Sequence, residues 1–381
     1  MNDMSNARAE IDSIDDSIAG LFMRRMELMG DIVAAKRAKG ASVTDPARER
    51  AILTRVAEKC GPDLENGARL LFSTIFGISR ARQRLIAGGK GAVVEAIEKA
   101  CAESKTFPTR AVVACPGTEG SYAQQSVSRM FSLPTILYFT SFGKVFEAVE
   151  NGLCPYGVLP IENSAAGSVA AVYDLMQKHR FHIVKSLRLK VDHVLLAPKG
   201  VSLADVREVR SHPHALAQCG GFLSAHPQMR AVPGGNTAAE AKALAESGRR
   251  DAAAIASRAC AELYGLDVVA EGIADAAFNY TRFICISKNL EIYPDANKFS
   301  IMMSLPHRPG ALNSVIAKFA SINVNLTKLE SRPVPGMDFE FRFIFDFEAS
   351  ATDPAVLALV SELSSDPEIE HFTFLGAYGE K

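Results

Sequence analysis

The sequence predicts a multidomain chain in which an all-α block, a two-lobed α/β block and an α+β block of ferredoxin-like order follow one another. Three observations predict it. At 381 residues the chain exceeds the size at which one hydrophobic core keeps growing. The apolar periodicity changes from helical to a strand and helix alternation after Phe107-Pro108, and changes again after Pro294. The run Gly88-Gly89-Lys90-Gly91 breaks the last long helix of the first block. The domains expected are residues 1–92, 108–288 and 297–381.

Composition excludes several classes. Hydrophobic residues make up 48% and charged residues 22%, with a formal net charge of -1, so no overall field favours nucleic acid or a membrane surface. Asp3, Glu10, Asp12, Asp15 and Asp16 interrupt what would be an apolar leader, and no stretch of eighteen apolar residues occurs, so a cytoplasmic protein is expected. The seven cysteines are scattered, odd in number and never spaced C-x-x-C, the pattern of reduced thiols; neither metal nor cofactor is expected.

In the first block, Ile11, Ile14, Ile18, Leu21, Phe22, Met29, Ile32 and Val33 form a helical stripe over residues 8–39 without an internal proline. One helix of that length spans roughly 48 Å. The fifty or so residues that follow are too few to cover it, so it is expected to pack on a second copy of itself. Asp45-Pro46 supplies an N-cap and a first-turn proline for a second helix, and Pro62-Asp63 opens a third that runs to about Ile86.

Charge spacing adds a functional reading to an ordinary solvated face. Arg25 and Lys36, eleven residues apart, fall within about 20° of each other on one face and can grip one dianion. Arg8 lies about 100° off that face and roughly 25 Å away, within reach of the same ligand only from an antiparallel helix of another protomer. Ser79 and Gln83, an i, i+4 pair, add neutral hydrogen bonds.

Arg8, Arg25, Lys36, Asp45, Arg48, Glu49, Ser79 and Gln83 together resemble the polar site positions of the all-helical chorismate mutases. The resemblance implies an intertwined helical dimer that takes chorismate to prephenate, each site completed by Arg8 of the other protomer. That pericyclic shift needs no nucleophile and no proton transfer. Arg8 and Arg25 would clamp the carboxylates, and Lys36 and Gln83 would stabilise charge on the ether oxygen.

In the second block, β-rich runs at residues 111–115, 156–161, 191–197, 252–256 and 283–287 alternate with helices, which reads as a largely parallel sheet. The new series at 191 and the return at 281 predict two lobes with a cleft between them. Gly117-Thr118-Glu119-Gly120-Ser121-Tyr122 reads either as an anion-receiving turn or as a tight strand-to-helix connection; it is neither G-x-G-x-x-G nor a P-loop.

Four further strings stand at strand ends or helix starts: Pro160-Ile161-Glu162-Asn163-Ser164, Ser211-His212-Pro213-His214-Ala215-Leu216-Ala217-Gln218, Asn236-Thr237-Ala238-Ala239 and Asn279-Tyr280-Thr281-Arg282-Phe283. With the glycine turn they resemble prephenate dehydratase from about residue 111 to 287. The resemblance implies a periplasmic-binding-protein-like fold in which Thr281 protonates the departing hydroxyl of prephenate. Asn163, Ser211, Gln218 and Thr237 would orient the substrate, with Glu162 nearby. Arg282 holds a carboxylate or, read from residue type alone, a structural ion pair. His212 and His214 are expected to point apart as turn residues; His214 stands where that family commonly has glutamine.

The third block reads β-α-β-β-α-β. Gly310-Ala311-Leu312 opens a helix, where free N–H groups favour a carboxylate, and Glu330-Ser331-Arg332 ends the following strand. These motifs resemble the ACT domain of the dehydratases, which implies L-phenylalanine bound between two protomers, feedback inhibition, and a homodimer or a pair of dimers. Asn313 stands where the family often has valine. A non-catalytic sensor of small acids is the alternative; Thr281 and the eight mutase positions weigh against it. A mutase joined to a dehydrogenase is excluded by the lack of a dinucleotide fingerprint.

Overall fold

The computed structural model describes residues 2–40, 45–88, 91–103, 106–276, 278–334 and 340–381. The expected first helix is two, α1 (Asn2–Glu27) and α2 (Met29–Lys39). The break is a single residue, Leu28, bridged by Leu28 N–H to Arg24 O at 3.3 Å and Ile32 N–H to Leu28 O at 3.1 Å. Then come α3 (Pro46–Cys60), whose first turn is capped by Asp45, and α4 (Glu65–Gly88). Both α2 and α3 pack on α4. The apolar stripe of α1 is left uncovered, with Ile11, Ile14, Ile18 and Leu21 exposed by 55%, 51%, 54% and 70%.

Helix α5 (Ala92–Ala102) packs on the far end of the chain: Val94, Ile97 and Ala100 share one core with Phe299, Phe319, Phe345 and Leu359.

The α/β block begins with β1 (Arg110–Pro116), α6 (Tyr122–Met130), β2 (Leu133–Phe139), α7 (Phe142–Glu150), β3 (Tyr156–Asn163), β4 (Gly167–Ser168), α8 (Ala170–His179) and β5 (His182–Lys190). The second lobe holds β6 (His193–Pro198), β7 (Glu208–Ser211), α9 (Pro213–Gln218), α10 (Gly220–Ala225), β8 (Arg230–Pro233), α11 (Thr237–Glu246), β9 (Ala252–Ser257), α12 (Ala259–Tyr264) and β10 (Leu266–Ala270), in sheet order β10-β6-β9-β7-β8. The chain then returns through β11 (Tyr280–Ser287), which enters the first sheet between β3 and β5 and runs antiparallel to both. Strands β1, β2, β3 and β5 run in one sense, so this sheet is largely parallel as expected, and β11 is its reversed strand.

The last block is β12 (Lys298–Ser304), α13 (Ala311–Ser321), β13 (Leu326–Pro333), β14 (Phe341–Glu348), α14 (Pro354–Ser365) and β15 (Glu370–Glu380), with sheet order β13-β14-β12-β15. It is ferredoxin-like, as the sequence predicts, but not separate. The end of β15 pairs with β5, Gly379 opposite Lys185 and Glu380 opposite Ser186, so that the sheets merge into one of ten strands. Glycine permits that approach: a Cβ at Gly376 would fall on the Ile183 carbonyl, and one at Gly379 would lie 2.7 Å from the Asp295 carboxylate.

Candidate functional site

Two sites emerge from the described residues. In the helical block the side chains of α1 and α2 converge on α4: Arg25 donates to Ser79 Oγ, and Lys36 Nζ donates to Gln83 Oε1 at 3.1 Å. Gln83 Nε2 lies 3.5 Å from Met29 Sδ, and both Ser79 and Gln83 are buried. Burial lowers the Arg25 pKa and Glu49 acts against it, so the cation is held partly desolvated above the face of Phe76.

Glu49 is drawn to Arg80 at 2.6 Å, a partner that sequence reasoning missed although it stands next to Ser79. Asp45 and Arg48 are not brought into this cluster. Asp45 Oδ1 accepts from the Arg48 N–H at 3.0 Å as the cap of α3, and both side chains are exposed. Arg8 is also exposed, far along α1 from Arg25.

The second site lies where the two lobes meet. Thr281 of β11 stands directly opposite Asn163 of β3, and Asn163 Nδ2 donates to its hydroxyl oxygen at 2.9 Å. Asn163 Nδ2 also donates to Asn279 Oδ1 at 2.7 Å, and Asn279 Nδ2 donates to Gln218 Oε1 at 3.1 Å. Gln218 Oε1 is 3.1 Å from Nε2 of His193, whose Nδ1 is 3.3 Å from the Tyr122 hydroxyl. The chain of polar groups thus runs from Thr281 in the first lobe through Gln218 and His193 in the second and back to Tyr122.

Burial lowers the His193 pKa, with its bond to Gln218 acting the other way, so its imidazole is neutral at pH 7. His193 and Asn279 were not singled out from sequence. A histidine inside the apolar run at 191–197 is the signal for the first, and the two-residue spacing from Thr281 is the signal for the second.

Several other sequence-predicted residues have local ties of their own. Ser211 donates to the Ile255 carbonyl at 2.6 Å within the second lobe, which makes its hydroxyl a structural tie. Thr237 is the first residue of α11, behind the Asn236 cap. The glycine turn is chiefly a tight connection: Gly117 N–H donates to Phe139 O at 2.8 Å and Gly120 N–H to Gln124 Oε1 at 2.6 Å. It leaves Thr118 Oγ1 buried and without a partner among the described residues. His212 and His214 stack, ring centroids 5.3 Å apart, rather than pointing apart, because His212 caps α9 and its Nδ1 accepts from the His214 N–H.

For Arg282 the structure shows the ion pair of its two readings, and Glu162 is tied into the same junction. Successive side chains on a strand face opposite sides. With Thr281 and Asn163 directed to the cleft, Arg282 and Glu162 face the last block. Arg282, 3% exposed, donates to Asp346 Oδ2 of β14 at 2.7 Å, and Lys328 of β13 donates to Glu162 at 2.6 Å. A cavity of about 300 Å³ lined by Glu162, Asn163, Ser168, Arg188, Arg282 and Lys328 opens beside this junction, so Asn163 borders it as well as the interlobe chain. For Glu162, burial would raise the pKa, but Arg282 and Lys328 outweigh it and hold the carboxylate below its usual value.

In the last block, Ala311 and Leu312 line a cavity of about 320 Å³ with Pro306, Pro309, Phe341 and Phe343. Gly310, at φ 81°, is the left-handed cap of α13. The alternation of β13 divides the second motif: Ser331 is exposed, while Glu330 turns inward to Ser168 and Arg332 donates to the Ala170 carbonyl at 2.8 Å. One chain therefore does not bring residues 310–312 and 330–332 to one pocket. Asn313 is exposed beside that pocket.

Among the described residues no helix is long and apolar enough to cross a membrane. All seven cysteines are free and five are buried.

Residues 113–291 match the prephenate dehydratase family model and residues 7–84 the model of chorismate mutase type II. The chain is 39% identical over 289 residues to an Arabidopsis thaliana arogenate dehydratase/prephenate dehydratase 2, covering 73% of this chain and 74% of that one. It is 29% identical over 371 residues to the bifunctional chorismate mutase/prephenate dehydratase of Escherichia coli K12, covering 95% and 93%. Its fold matches the Arthrobacter aurescens prephenate dehydratase solved in complex with L-Phe, with TM-score 0.63, 32% identity, and 70% and 89% of the two chains covered. A two-lobed dehydratase with a helical domain ahead of it is the class these findings define, and the chain belongs to the prephenate dehydratase family. With the mutase domain on the same polypeptide it is a bifunctional chorismate mutase and prephenate dehydratase of phenylalanine biosynthesis.

Proposed function

We propose that the chain carries chorismate through to phenylpyruvate in two separate sites and is restrained by L-phenylalanine at its C-terminal block. The observation that carries the dehydratase half is the orientation of Thr281. Its oxygen accepts from Asn163, and its own proton has no acceptor among the described residues, which leaves the hydroxyl as a donor toward the cleft. As the ring carboxylate of prephenate departs as carbon dioxide, the electron pair of that bond enters the ring and the C4 hydroxyl leaves. Thr281 supplies the proton that makes it water and regains one from solvent.

The mutase half rests on Arg25, Lys36, Ser79 and Gln83 clustered on α4, with Arg8 supplied by a second protomer. The uncovered stripe of α1 supports that homodimer, because burying each such side chain is worth roughly 1.5–3 kcal/mol. Phenylalanine would place its ring in the cavity of Ala311, Leu312, Phe341 and Phe343 and its carboxylate near Gly310, with Ser331 facing the partner. Free cysteines fit a reducing compartment, the cytoplasm.

The test is the purified protein with chorismate alone, without added metal or nucleotide. Phenylpyruvate is expected. Prephenate that accumulates without further conversion would remove the dehydratase claim, and binding of prephenate with no turnover would favour a sensor.

A further inference from the structure

We infer that His193 is a positioning residue for prephenate, fixing the Gln218 side-chain amide so that its NH2 group, and not its oxygen, meets the substrate. The inference rests on the dehydratase reading above and adds a residue to it.

The direction of every amide in the interlobe chain follows from one fixed end. The backbone N–H groups of Ala165 and Ala166 both donate to Asn163 Oδ1, at 3.0 and 2.9 Å. That side of Asn163 must therefore be oxygen, and its NH2 faces Thr281 and Asn279. Asn279 then presents its oxygen to Asn163 and its NH2 to Gln218, so the Gln218 atom at this junction is oxygen. The same oxygen is met from the other side by His193 Nε2 at 3.1 Å. Two hydrogens converge on Oε1 only if the neutral imidazole carries its proton on Nε2.

His193 is 3% exposed, so no solvent replaces that donor. Its Nδ1 is left as an acceptor 3.3 Å from the Tyr122 hydroxyl, whose single proton is directed chiefly to Asp192 O at 2.7 Å and at most shared with Nδ1. With both sides of Oε1 occupied, Gln218 Nε2 has no acceptor among the described residues and stands half-buried at the lobe junction. A carboxylate is the ligand that takes such a donor, and prephenate carries two. Remove the imidazole donor and only Asn279 resists rotation of the amide. The flipped amide would then offer an oxygen to an anion.

The experiment compares His193→Phe, which keeps a flat ring without the donor, and His193→Gln, which keeps a donor at a similar reach. His193→Phe should raise the KM for prephenate about 10- to 100-fold, the worth of a hydrogen bond to a charged group, with a smaller change in kcat. His193→Gln should stay within about threefold of the parent, because the donor is retained. Mutase turnover by the same preparations reports on folding and should be unchanged. Gln218→Glu addresses the amide without touching the buried ring. It should raise the KM at least as much, and adding His193→Phe to it should bring no further loss, because both act through one group.

An unaltered KM in His193→Phe would overturn the inference. So would equal losses in the Phe and Gln variants, or additive losses in the double variant. If the parent enzyme makes no phenylpyruvate at all, the functional reading fails instead.

Discussion

Asp346→Ala tests the junction between the dehydratase lobe and the C-terminal block. Arg282 and Asp346 meet at 2.7 Å with side chains 2% and 1% exposed, and Asp346 also accepts from Ser300 at 2.5 Å. Removing one partner of such a pair leaves a buried charge unpaired, which costs about 3–5 kcal/mol. Two other carboxylates, Glu162 and Glu380, lie 3.8 Å from Arg282 and soften the loss, so the lower end, about 3 kcal/mol, is expected. That is roughly two orders of magnitude in the unfolding equilibrium of the ten-stranded sheet. Urea unfolding followed by far-UV circular dichroism measures it. The paired change Arg282→Met with Asp346→Leu should recover most of the loss, since apolar replacement of a buried pair is often neutral. A single variant within about 0.5 kcal/mol of the parent, or a double variant no better than the single, would refute the reasoning.

Other outcomes follow from the same geometry. Mixing Arg8→Ala and Arg25→Ala subunits should restore about a quarter of parental mutase activity, since half the dimers become mixed and each mixed dimer has one intact site; no recovery would exclude a shared site. Burial would raise the pKa values of Glu162, Asp366 and Glu380, but for each the neighbouring Lys and Arg cations outweigh it and lower the value. Their contribution to stability is therefore full above the ordinary carboxylate pKa of about 4 and is lost as pH falls through the lower folded values. The urea midpoint should hold from pH 7 to about 4.5 and drop below that; a fall already complete by pH 5 would implicate histidines instead. Gly310→Ala strains a left-handed cap with open space around it, so inhibition by phenylalanine should weaken while both activities persist, and Ser331→Ala should weaken it too. Undiminished inhibition in both variants would count against that pocket.

Most of the architecture was legible because periodicity and turn chemistry are local. The order of the last block, the cap at Asp45 and the α4 pair of Ser79 and Gln83 all follow from neighbours a few residues apart. The merged sheet was not legible: the pairing of β15 with β5 is a contact across nearly two hundred residues, permitted by the close approach at Gly376 and Gly379. The sites divide the same way. Thr281 and Asn163 were readable as motifs, whereas the opposite facing of Glu162 and Arg282 follows from strand alternation, which the motif obscured. Asp346, Lys328 and His193 lie in other segments, and only the fold brings them in.

The central claim is that two independent sites act in series on one chain, and product analysis of two variants given chorismate tests it most directly. Thr281→Ala should convert chorismate to prephenate and stop there. Arg25→Ala should leave chorismate untouched yet convert added prephenate to phenylpyruvate at the parental rate. Loss of both conversions in each variant, both still folded, would contradict the account.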